Sequence, residues 1–85
     1  MNWMVYVVKC KDGSLYTGIT QNIQRRLTEH NYNNKLGSKF IRVRRPVKLV
    51  YKEVIENKGL ALKRELEIKS WSRNKKLLLV NKDLS

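Results

Sequence analysis

Five side chains in this sequence have types and spacings that could make one chemical site: Tyr6, Tyr16, Arg26, His30 and Glu65. A phenol is a proton donor, and a base only where nearby cations lower its pKa. An imidazole moves protons near neutrality. A guanidinium is a permanent planar cation suited to phosphate oxygens. A lone carboxylate on an apolar helix stripe is costly unless it is paired or holds a metal. Proton transfer beside a fixed cation is the chemistry such a set supports. Whether the five meet depends on the elements that carry them.

The tyrosines flank a turn. Residues 5–18 read VYVVKCKDGSLYTG, two apolar runs around Asp12-Gly13, which is a hairpin signal. A two-residue turn would put Tyr6 and Tyr16 on opposite faces. A three-residue loop, Lys11-Asp12-Gly13 with Gly13 left-handed, sets Val8 opposite Tyr16 and Tyr6 opposite Gly18. That register gathers Val5, Val7, Leu15 and Ile19 on one face. Tyr6, Ser14, Tyr16 and Gly18 share the other. It separates apolar from polar better, so it is the expected one. Paired tyrosines could still do no more than cover a sheet edge.

Asn22 is a helix cap for Ile23 to about Tyr32. Ile23 and Leu27 make its inward stripe, and Arg26 and His30 lie four apart on that side. Residues 32–39 read as a loop. Residues 46–55 read as a third strand with Pro46 at its start. A helix from about Leu60 to Ser70 has Ala61, Leu62, Leu66 and Ile68 as its apolar face, with Glu65 near the centre and Glu67 toward solvent. The plainer role for Glu65 is a salt bridge to Arg26. Ser72 caps a last, basic helix to about Asn81. The expected fold is α/β (α+β): a small three-stranded sheet in β-β-α-β-α-α order, helices packed around it, residues 1–85 forming one domain.

Nineteen Lys and Arg against seven Asp and Glu give a formal net charge of +12. That excess calls for a polyanionic partner, with nucleic acid first. Residues 35–52 carry seven Lys and Arg and no acid. No segment is apolar enough to span a bilayer, so no membrane role is expected. No secretory signal is visible, and the single Cys10 suits a reducing cytoplasm.

The motifs resemble those of the GIY-YIG nuclease domain. "VYV" around Tyr6 stands where the family has GIY, without its Gly. "YTG" (Tyr16, Thr17, Gly18) stands where it has YIG. "RRLTEH" supplies Arg26 and His30, and "ALKRELEIK" resembles the segment with the metal-binding glutamate, here Glu65. The match runs along essentially the whole chain. It is similar to small stand-alone members and to the catalytic module of the bacterial excision-repair nuclease subunit. The resemblance implies a metal-dependent endonuclease that hydrolyses phosphodiester bonds, DNA favoured over RNA, in repair or processing. It implies one Mg²⁺ or Mn²⁺ at Glu65 and catalytic roles for Tyr6, Tyr16, Arg26, His30 and Glu65; a protein partner for targeting is a separate expectation. Which tyrosine takes the proton stays open. Gly18 is expected to leave room for substrate. Lys39, Arg42, Arg44, Arg45, Lys69, Arg73, Lys75 and Lys76 are expected to hold the phosphate backbone without reading bases. Asn74 and Asn81 have no spacing that assigns either a role. The alternative is a nucleic-acid-binding module of this fold that does not cut.

Overall fold

The computed structural model describes residues 2–84, and side chains up to residue 80. Strand β1 (Trp3–Cys10) is the middle of a three-stranded sheet, with β2 (Leu15–Thr20) on one side and β3 (Val47–Ile55) on the other. Both pairings are antiparallel. Helix α1 (Ile23–Tyr32) follows the hairpin, and a one-turn helix α2 (Lys39–Arg42) precedes β3. Helices α3 (Lys58–Lys69) and α4 (Arg73–Leu84) end the described chain. The order is the expected one with α2 added. Among the described residues no helix is long and apolar enough to cross a membrane.

The hairpin closes through the three-residue loop. Gly13 has φ 87°, a left-handed value that a glycine adopts without a Cβ penalty. Its N–H donates to the Cys10 carbonyl at 2.9 Å, and the Cys10 N–H donates to the Ser14 carbonyl at 2.9 Å. The register sets Tyr6 opposite Gly18 and Val8 opposite Tyr16. On the far side of β1, the pairing with β3 shifts between Val7 and Val8.

Both sheet faces are covered, which explains the unbroken apolar run Val5–Val8: all four are buried. Val5 packs with Ala61, Ile68 and the partly buried Trp3, Ile19, Ile55 and Trp71. Tyr6, Val8 and Cys10 pack with Ile23, Ile41 and Val47. The Tyr6 face is therefore a second core and not the polar face that the hairpin pattern suggests. Ile41 of α2, fully buried, helps to make it so.

Helix α3 begins at Lys58, capped by the Asn57 side chain, which accepts from the Leu60 N–H. Its phase departs from the expected one. Ala61 and Ile68 are buried, but Leu62 and Leu66 are exposed. Arg64 and Glu65 take the flank of the buried stripe instead. The reason lies on β3. Glu53 accepts from Arg64 Nε at 2.6 Å and from the Tyr51 hydroxyl at 2.5 Å. Burial, then Glu53, push the Tyr51 phenol up to about 12. A polar network thus sets the rotation of α3.

Candidate active site

Tyr6 comes from the central strand and His30 from the last turn of α1. Their side chains meet in the interior, with Tyr6 Oη 2.8 Å from His30 Nε2. Tyr6 is 1% exposed and His30 0%. Tyr16, from β2, sets its ring edge-on to His30 with centroids 5.4 Å apart. Gly18 makes this packing possible. A Cβ there would lie 2.5 Å from Tyr6 Oη and 2.7 Å from its Cζ. Gly18 thus leaves room for the Tyr6 ring itself.

Arg26, one turn before His30, is half-buried. Its Nη1 donates to Glu29 Oε1 at 3.0 Å and to the Leu36 carbonyl at 2.6 Å. Burial works against its charge, but hydrogen bonding to Glu29 and to Tyr6 outweighs this and raises its pKa. Arg26 stays a cation. The carboxylate beside it is Glu29, so the plainer alternative for Glu65, a salt bridge to Arg26, is not formed. Glu65 faces Lys69 instead, with Oε2 3.3 Å from Nζ. Its charge still acts on Tyr6.

Burial dominates the protonation of the pair. It pushes the Tyr6 phenol up to about 12, against the lowering effect of Arg26; the charges of Tyr16 and Glu65 add to the rise. Burial also pulls His30 down to about 4, helped by Arg26 and Arg45 and opposed by Glu29. At neutral pH the phenol is protonated and the imidazole uncharged. His30 Nδ1 is buried without a hydrogen-bond partner among the described residues.

The expected phosphate-holding cations are placed unevenly. Arg45 donates to the His30 carbonyl at 2.5 Å, to the Asn33 carbonyl at 3.0 Å and to Asn34 Oδ1 at 2.9 Å, closing the end of α1. Arg44 lies 4.0 Å over the Phe40 ring and pairs with Asp12 at 3.2 Å. Arg42 donates to the Asn34 carbonyl. Lys39 is exposed on α2. Arg73 donates to the Gly13 carbonyl at 3.0 Å and with Lys76 borders a cleft of about 210 Å³. Lys75 sits over the Trp71 ring, 4.5 Å from its centroid. Asn74 is exposed at the start of α4, and the Asn81 side chain lies outside the described residues.

Two contributors were not anticipated. Glu29 pairs with Arg26, and the i,i+3 spacing was its readable signal. Phe40 stacks on Tyr16 with centroids 6.0 Å apart, from a stretch with no pattern to announce it.

The sequence pattern of the GIY-YIG catalytic domain matches residues 2–77. The chain belongs to the GIY-YIG family. It is 54% identical over 77 residues to a UPF0213 protein of Staphylococcus saprophyticus, covering 91% of this chain and 92% of that one. A UPF0213 protein of Staphylococcus aureus is 54% identical over 76 residues, covering 89% and 90%. The solution NMR structure of a UPF0213 protein from Bacillus halodurans matches with a TM-score of 0.60 at 42% identity, covering 95% of this chain and 84% of that one. GIY-YIG domains are generally nucleases that act on nucleic acid and typically depend on a divalent metal.

The donor set can be tested against that metal. No group of three or more His, Cys, Asp or Glu among the described residues could enclose an ion. A closed zinc-type cage does not fit. A single carboxylate with a side chain 15% exposed, facing a flexible half-exposed lysine, does fit Mg²⁺ or Mn²⁺. Such ions keep several waters and take substrate phosphate oxygens.

Proposed function

We propose that this GIY-YIG chain is a divalent-metal-dependent endonuclease hydrolysing phosphodiester bonds of nucleic acid, with DNA favoured, in repair or processing in the cytoplasm. A protein partner would supply targeting. The observation that carries this reading is the buried hydrogen bond between Tyr6 and His30, beside the charged Arg26 and within the field of Glu65.

Glu65 would hold one Mg²⁺ or Mn²⁺, which supplies Lewis-acid stabilisation of charge on the phosphate. Arg26 adds a fixed cation for the transition-state phosphate oxygens. Tyr6 and His30 manage the proton. Ionising a phenol of pKa about 12 at pH 7 costs about 7 kcal/mol, at roughly 1.4 kcal/mol per pKa unit. Protonating an imidazole of pKa about 4 costs about 4 kcal/mol on the same scale. A relay is therefore favoured over a preformed phenolate. As the attacking water gives its proton to Tyr6 Oη, Tyr6 gives its own to His30 Nε2. Tyr16 packs against His30 and holds the ring in place. Phosphate contacts come from Lys39, Arg42, Lys69, Arg73, Lys75 and Lys76, with Arg44 and Arg45 also fixing the surrounding loops.

The competing reading is a nucleic-acid-binding module without cleavage, and the protonated state of Tyr6 is what favours it. Cleavage of a panel of labelled DNA and RNA structures, with Mg²⁺, Mn²⁺ or EDTA, separates the two. Glu65→Gln should abolish metal-dependent cutting while changing stability by less than about 1 kcal/mol, since its half-exposed partner Lys69 makes a surface-type pair. A wild-type protein that binds but never cuts any substrate would leave the binding module standing.

A further inference from the structure

Helix α2 leaves an aromatic ring at the surface beside the candidate active site. Its two apolar residues are neighbours, and Ile41 takes the core while Phe40 stays 40% exposed. Phe40 is nonetheless held. Its ring stacks on Tyr16, with centroids 6.0 Å apart and planes 27° apart, and Tyr16 in turn meets His30. The Arg44 guanidinium lies over the Phe40 ring, 4.0 Å from its centroid. A cation over a ring face is attracted to it. Two edges of that guanidinium are also engaged. Nε faces Asp12 Oδ2 at 3.2 Å, and Nη1 donates to the Phe40 carbonyl at 2.8 Å. With one face on Phe40 and those two nitrogens held, the group still offers its other face and Nη2. The Arg44 side chain is 32% exposed. The chain thus presents a fixed, flat cation on an aromatic support, next to Tyr16.

We propose that Arg44, backed by Phe40, seats a nucleobase of the substrate on the outer face of its guanidinium. The inference rests on the nucleic-acid reading above and adds a base contact to the duties of Arg44 there. A cation meant only for phosphates keeps its nitrogens open, whereas Arg44 gives two of them to Asp12 and the Phe40 carbonyl. What that arrangement preserves is a plane. Bases splayed out of a helix stack on guanidinium planes as they do on aromatic rings. Lys39, next to Phe40 and exposed, supplies a cation for the adjoining phosphate. A base inside a duplex has both faces covered by its neighbours. The seated base is therefore unpaired, which makes the substrate a single strand, flap or loop and not continuous duplex. Stacking accepts every base, so the contact senses the unpaired state without reading sequence.

The test measures binding of the full chain, in EDTA, to three probes: a short single strand, its fully abasic counterpart with the same phosphates, and a closed circular duplex. Wild type should favour the strand with bases over the abasic one by about 5- to 150-fold, the range for one stacked base. Arg44→Lys keeps the charge and loses the plane. It should lose most of that preference while the salt dependence of binding, which counts phosphate contacts, stays the same. Its affinity for the closed duplex should not change. Phe40→Leu keeps an apolar side chain but removes the ring that backs the guanidinium, and it should also lose the preference. Melting temperatures check that both variants fold, and Arg44→Lys decides alone if Phe40→Leu does not. Equal affinity of wild type for the two strands, or a preference that survives Arg44→Lys, would overturn the proposal. So would a variant that weakens both strands and the duplex alike, which would make Arg44 a phosphate contact only. A base preference in a protein that never cuts would sink the nuclease reading and keep the base seat. Cutting without a base preference would do the reverse.

Discussion

Tyr6 and His30 are held in their uncharged forms by the same burial that brings them together, and this makes a pH signature. Unfolded His30 takes up a proton below about pH 6.5, whereas the folded ring does so only below about 4. Between those values the unfolded chain binds more protons, so stability falls as pH drops. The loss from this one group is on the order of 3 kcal/mol. At the alkaline end, Tyr6 and Tyr51 ionise near pH 10 when unfolded and near 12 when folded, so stability falls as pH rises through that interval. Denaturant titrations should show a plateau from about pH 6.5 to 10, and His30→Gln should remove the slope between pH 4 and 6.5. The rate has its own signature. A relay through neutral His30 gives a cleavage rate nearly flat from about pH 6 to 9 and falling as pH approaches 4. A tenfold rise per pH unit across the alkaline range would assign the base to a Tyr6 phenolate instead.

The hairpin is the element that joins the two tyrosines, and its register was legible because Gly13 fits one closure and the apolar pattern fits one pairing. The caps Asn22 and the pairing of Tyr6 with Gly18 follow from the same local rules. What Gly18 is for was not legible, since its empty side is filled by Tyr6. Gly18→Ala should displace the Tyr6 ring and lower stability by about 1–3 kcal/mol, as overpacking does. Cleavage should fall by more than the folded fraction does. An unchanged melting temperature with full activity would mean that Tyr6 does not need its observed position. The phase of α3 differs from the periodic pattern, which places Leu62 and Leu66 in the core. Their exposure follows from the Glu53–Arg64 pair, a contact between residues 11 apart in sequence that periodicity does not reveal. Arg26 similarly chose Glu29, on its own helix, over the distant Glu65.

Across the whole molecule, a net charge of +12 suits a polyanionic partner, while the Tyr6–His30 pair is almost wholly buried. Charge and fold class were readable from composition and pattern. The division of labour among the cations was not, because Arg45 answers to His30, Asn33 and Asn34, and Arg44 to Asp12, all brought near by folding. In the proposed relay the buried Tyr6 hydroxyl moves a proton during phosphodiester hydrolysis. Single-turnover cleavage by wild type and by Tyr6→Phe, with saturating Mg²⁺ and with oligonucleotide affinity measured in EDTA, tests it most directly. Phe keeps the ring over Gly18 and removes only the hydroxyl. The expected result is a rate loss of about 10²–10⁴-fold with affinity within a factor of about two. A Tyr6→Phe protein that cuts at the wild-type rate would contradict the claim.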